Sequence, residues 1–226
     1  MLRPLAIAAV ALALAPTARA APLPDFVKDN LGTWLVATDD GKPGCRVTLT
    51  SEAAGRAWRA SPAPDCATRL PAVGRAVAWT FDGGVRLLGA DGKVLLDFQE
   101  DETTMMKTSF EQKPVHYILK AKPGVERMPY APDLAGAWVL RRPGGPTLCP
   151  LTLSKGAKEE ETELSVKTGT PCDAAVARLK LDSARAEDFS LMLYGKPETS
   201  LRLEPSGAES YAKAEGGRPL EMVRAP

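Results

Sequence analysis

The sequence predicts an all-β protein: two tandem small up-and-down antiparallel β-barrels, about eight strands each, with one disulfide per barrel. Three observations predict it. First, a stretch recurs. Leu31-Gly32-Thr33-Trp34, a polar turn and Cys45-Arg46-Val47-Thr48-Leu49 are echoed by Ala135-Gly136-Ala137-Trp138, a turn and Cys149-Pro150-Leu151-Thr152-Leu153. One constant offset relates Gly32 to Gly136, Trp34 to Trp138 and Cys45 to Cys149, as in a duplicated unit. Second, short runs alternate apolar and polar residues with the period of a half-buried strand. Third, each copy is followed by one more cysteine, Cys66 and Cys172.

The chain opens on a leader. Arg3 gives a positive start, Leu5 to Ala15 an apolar run, and Ala18-Arg19-Ala20 a small-x-small cleavage site. Residues 1–20 are therefore read as a signal peptide, leaving Ala21 as the mature N-terminus. The run is too short for a ~30 Å hydrocarbon core, and no later stretch is long and apolar enough to span one. No cysteine follows the cleavage site to carry a lipid anchor. The expectation is a periplasmic protein that does not span a membrane. The formal charge of +1 includes Arg3 and Arg19, so the mature chain carries about −1, which points to neither nucleic acid nor an anionic membrane as partner.

Export bears on the cysteines. Four cysteines allow three pairings, and the duplication favours Cys45–Cys66 and Cys149–Cys172. In an oxidising compartment each such staple is worth roughly 3 kcal/mol in the chain-entropy account. Zinc sites want cysteines about two to four residues apart, and these are not.

Residues 21–30 are expected to form an extended tail, because Pro22 and Pro24 oppose a helix and favour a stiff, open backbone. The first barrel is expected over 31–120. Trp34 and Val36 alternate with Leu35 and Ala37; Cys45, Val47 and Leu49 alternate with Arg46, Thr48 and Thr50. Val77/Trp79/Phe81, Val85/Leu87, Leu96/Phe98, a short strand around Met106 and Val115/Tyr117/Leu119 continue the meander, with turns at Asp82-Gly83-Gly84 and Gly89-Ala90-Asp91-Gly92. No useful helical period is present beyond a turn near Ala53-Ala54. Residues 121–133, with Pro123, Gly124, Pro129 and Pro132, read as a linker. The second barrel is expected over 134–226, where Cys149/Leu151/Leu153, Leu179/Leu181, Phe189/Leu191/Leu193, Leu201/Leu203, Tyr211 and Leu220/Met222 repeat the order. Closing each sheet into a barrel removes its exposed edges.

Little here can carry catalysis. The single histidine, His116, shares a strand face with Ile118 and Lys120, opposite the apolar Val115, Tyr117 and Leu119, and is expected on the solvated side. There is no phosphate-cradling glycine loop, nucleophile elbow or His-Glu-x-x-His. The run Glu159-Glu160-Glu161 reads as a solvated loop. No enzyme, catalytic residue, metal site or cofactor is expected. Trp34 and Trp138 are expected to plug one end of each barrel.

Gly-x-Trp, a cysteine on the next strand, a second cysteine some way on, and the meander together resemble the bacterial Inh-type metalloprotease inhibitors. The likeness extends to both copies and is stronger in the first, where Leu70-Pro71 and Trp79 also fit; Leu181 replaces Trp79 in the second. The resemblance implies an exported barrel with one disulfide that blocks secreted zinc proteases of the serralysin class by threading its N-terminal tail into their active-site cleft. The tail here would be Ala21, Pro22, Leu23, Pro24 and Asp25, with the α-amine of Ala21 directed at the protease zinc. Pro22 and Pro24 depart from the family's small and aliphatic tail residues. Two other classes fit the pattern: a lipocalin- or avidin-like carrier, since Gly-x-Trp also opens lipocalin barrels, and an envelope structural or binding protein.

Overall fold

A computed structural model of the chain describes residues 22–100, 106–155 and 163–225. The leader expected at 1–20, Ala21 at the head of the tail, and Glu159-Glu160-Glu161 lie outside the described residues.

The chain enters through α1 (Asp25–Asn30), not through an extended segment reaching residue 30. The prolines lie before the helix, where their missing N–H groups are not needed, and the Pro24 carbonyl accepts from the N–H groups of Val27 (3.0 Å) and Lys28 (3.2 Å). Burial of Val27 holds the turn down. The first sheet follows: β1 (Gly32–Thr38), β2 (Cys45–Ala54), β3 (Ala57–Pro62), β4 (Ala78–Phe81), β5 (Val85–Leu88), β6 (Val94–Asp97), β7 (Gln99–Glu100), β8 (Met106–Lys107) and β9 (His116–Lys120). Two helical turns, α2 (Cys66–Arg69) and α3 (Pro71–Gly74), interrupt it after β3. These helices escaped the sequence reading because four to six residues are too few to show a helical period.

The strand order is β6-β5-β4-β3-β2-β1-β9-β8-β7. Among the described residues nine strands stand where about eight were expected, because one extended run is broken at Phe98, whose N–H bonds to the Val85 carbonyl at 2.9 Å. The two outermost strands, β6 and β7, are thus consecutive in sequence.

The second half begins with α4 (Ala131–Leu134) and continues as β10 (Gly136–Arg141), β11 (Thr147–Lys155), β12 (Glu163–Thr168), α5 (Ala174–Ala177), β13 (Leu181–Glu187), β14 (Ser190–Gly195), β15 (Thr199–Gly207), β16 (Ser210–Lys213) and β17 (Glu221–Arg224). Its eight strands pair in sequence order and close, β17 returning to β10. This closed antiparallel barrel is the architecture expected of the second half. Both disulfides, Cys45–Cys66 and Cys149–Cys172, are present, each tying a second strand to the loop or helical turn beyond the third.

Each half has its own core. Trp79, Val47, Leu49, Leu87 and Phe98 fill the first; Trp138, Leu140, Leu151, Leu191 and Leu203 fill the second. A third cluster lies between them: Leu35, Ala37, Val115 and Tyr117 from β1 and the β9 region, Val125 and Met128 from the connecting segment, and Phe189 from the β13–β14 turn. This corrects the sequence reading of β9. Ile118 faces the first core beside His116 and Lys120, while Val115, Tyr117 and Leu119 face outward into the third cluster. Alternation marks the buried face only when the other face is wet, and here both are covered.

Residues 121–133, expected as a linker, are packed along both halves. Glu126 pairs with Arg46 at 2.6 Å and its carbonyl accepts from the Gly44 N–H at 2.8 Å. Lys122 reaches Glu204 at 3.2 Å. A further ion pair, Lys107–Asp188 at 3.7 Å, joins β8 to the β13–β14 turn.

Candidate functional site

The residues proposed for the tail fall into three environments. Pro22 and Pro24 are exposed, Pro24 with φ −55 and ψ 147, the stiff open backbone its ring favours. Leu23 between them is half-buried against the first core. Asp25 is already the first residue of α1 and pairs with Lys28 at 2.9 Å. Leu23 to Asp25 therefore form the root of the tail, with Pro22 exposed ahead of it.

That root is held at both ends of α1. At its C-terminal end the Trp34 indole Nε1 donates to the Asn30 carbonyl at 2.8 Å. Lys120 Nζ donates to the carbonyls of Asp29 (3.1 Å) and Leu31 (2.8 Å), and lies 4.1 Å from the centre of the Trp34 ring. At its N-terminal end Phe26 stacks on Phe81, with ring centres 5.7 Å apart, and meets Trp58 edge-on at 5.9 Å. Trp58 in turn lies 5.2 Å from the buried Trp79, whose indole N–H bonds to the Thr50 carbonyl at 2.9 Å.

The same arrangement at the second Gly-x-Trp follows the same offset. Trp138 Nε1 donates to the Leu134 carbonyl at 2.8 Å. Arg224 donates to the carbonyls of Asp133 and Ala135, both at 2.8 Å, and its guanidinium carbon lies 4.1 Å over the Trp138 ring. Gly32 and Gly136 take φ of 112° and 127°, a region that side chains rarely enter, where each strand departs from its preceding helix. Both tryptophans are buried, with Gly32 opposite Leu49 and Gly136 opposite Leu153 in matching registers.

Sequence reasoning found the glycines, tryptophans and cysteines and missed the partners. Lys120 and Arg224 stand at the same offset as the tryptophans they cover, so the signal was present as two cations in register. Phe26, Trp58 and Phe81 gave no such signal, since only the fold brings them together.

Among the described residues no helix is long and apolar enough to cross a membrane. Residues 27–118 match a family model described as Protease inhibitor Inh. The matched span holds the last four residues of α1, the first Gly-x-Trp, the first disulfide and nearly all of the first sheet, and is less than half of the 226-residue chain. Inh is a family of protease inhibitors, so the partner it implies is a protease. No curated protein matches the chain.

Proposed function

We propose that the protein is an exported inhibitor of a secreted zinc protease of the serralysin class, whose N-terminal tail, Ala21 to Asp25, blocks the active-site cleft with the α-amine of Ala21 directed at the protease zinc. The observation that carries this reading is the match of residues 27–118 to a protease inhibitor family. The match begins at Val27, within α1 and just behind the root of the tail, which agrees with a rigid body carrying a separate inhibitory segment in front of it. A proline-stiffened segment loses little conformational freedom on binding, and a pre-positioned root reduces the cost further. An inhibitor needs no catalytic centre of its own. The leader puts its site of action in the periplasm. The carrier alternative is weakened by the filled interiors, where Trp79, Phe98, Leu49 and Leu87 occupy the first core and Trp138, Leu140 and Leu151 the second.

The repeated Trp–cation geometry supports reading 31–120 and 134–226 as two copies of one unit. In the second copy the chain leading into α4 continues from the first and offers no free amine. One protease per chain is therefore the proposed stoichiometry.

The test compares the protein starting at Ala21 with one starting at Pro24, which keeps the carbonyl that caps α1. Against a serralysin-type zinc protease, the shorter protein is expected to inhibit about a hundredfold less well or worse. Equal inhibition by both would move the function to the sheet surface. If neither inhibits, while a serine or cysteine protease is blocked, the target class is wrong.

A further inference from the structure

We infer that Phe26 is the positioning residue of the inhibitory tail: it sets the direction in which residues 21–24 leave the body, and so the geometry in which they reach a protease. This rests on the tail mechanism proposed above and adds the device that aims it.

The helix α1 is too short to stand alone. Six residues cannot repay the cost of nucleating a helix in water, so α1 exists only because the body holds it. Its C-terminal end is fixed by the Trp34 indole and the Lys120 ammonium, but these act on carbonyls of Asp29 to Leu31, away from the tail. Rotation of α1 about that end would swing Pro24 and everything before it. What opposes the swing at the tail end is Val27, wholly buried, half-buried Leu23, and the Phe26 ring against Phe81 and Trp58.

Phe26 differs from the other two. Its residue is 41% exposed, so its burial contributes little to holding the core together; its contacts are specific ring-to-ring packing with a defined geometry. The chain of rings from Trp79 through Trp58 to Phe26 passes that geometry from the rigid core to the first turn of α1. Pro24 is coupled to that turn through its carbonyl bonds to Val27 and Lys28. Charged side chains around the platform are paired among themselves: Lys28–Asp25, Arg59–Glu52 and Arg86–Asp82. They do not compete for the ring face.

Five proteins test the assignment: wild type, Phe26→Ala, Phe26→Tyr, a protein starting at Pro24, and that shorter protein carrying Phe26→Ala. Inhibition of a serralysin-type zinc protease is measured alongside the thermal unfolding midpoint. The expected result is an inhibition constant about tenfold higher for Phe26→Ala, recovery in Phe26→Tyr, and an unchanged midpoint. In the protein lacking the tail tip, Phe26→Ala should leave whatever weak inhibition remains unaltered. If Phe26→Ala inhibits like wild type while removal of the tail tip abolishes inhibition, the positioning role is overturned and the tail mechanism stands. If Phe26→Ala weakens inhibition equally with and without the tail tip, the ring is a direct contact and the inference fails. Full inhibition by the protein starting at Pro24 overturns the tail mechanism and this inference together.

Discussion

Trp34 and Trp138 each satisfy an indole N–H inside the fold, carry a cation on one face and sit against the core on the other. Lys120 over Trp34 shows the cost of that position: burial lowers its pKa from the ordinary value, and the charge of Asp29 opposes the shift. His116 lies at the other end of the same strand face. It is half-buried, contrary to its expected place in solvent, and its Nδ1 is buried without a hydrogen-bond partner. Burial pushes the imidazole below its ordinary value of 6.5, with a hydrogen bond to the Pro114 backbone and the charges of Asp39 and Asp40 opposing. The unfolded chain therefore takes up a proton at a higher pH than the folded one. Stability from the neutral ring is present above about pH 6.5 and is lost as the pH falls through the lowered folded value. Urea midpoints of the wild type should drop between about pH 7 and pH 5 more than those of His116→Leu. Parallel profiles for the two proteins would remove His116 from the linkage.

At the scale of elements, the short helices are held by their surroundings more than by their own sequence. In α5 the Asp173 side chain accepts from the Ala175 N–H at 2.9 Å, the one helix among the described residues whose cap uses a side chain. It follows directly on Cys172, so the second disulfide fixes the approach of this turn to β11. Replacing Cys149 and Cys172 together by alanine is expected to cost about 3 kcal/mol, mainly by freeing the unfolded chain. Urea unfolding of the oxidised wild type and the double variant measures it. A loss well under about 1 kcal/mol would mean that the barrel's strand pairing already restrains this loop.

For the whole molecule, the decisive feature is an asymmetry between two similar faces. On the first sheet Ala37 pairs with Tyr117, and the face they belong to is covered by Val125, Met128 and Phe189. At the corresponding place on the barrel Arg141 pairs with Glu221, joined by an ion pair at 2.6 Å. The first face accepts a neighbour and the second repels one. A head-to-tail contact of this kind would propagate if both faces were apolar; a polar face on the barrel opposes it. The double variant Arg141→Ala, Glu221→Tyr is therefore expected to associate with rising concentration, read by light scattering after size-exclusion chromatography. A variant that stays monomeric at all concentrations would show that the hairpin bearing Phe189 has no second binding mode.

The sequence by itself determined the all-β class, the Gly-x-Trp repeat, the cysteine pairs and the order of the short strands, because each is written in local spacing. Alternation fixes a strand, and a recurring motif fixes its equivalents. Tertiary structure alone decided which face of β1 and β9 is inner, that residues 121–133 are packed between the halves, that α1 replaces an extended stretch, and that Phe26 meets Trp58 and Phe81. The physical reason is common to all four. A side chain's environment depends on what distant segments bring to it, and a strand with both faces covered carries no alternation to read. Leu35, Ala37, Tyr117 and Leu119 were apolar for a partner that begins at Val125 and ends at Phe189.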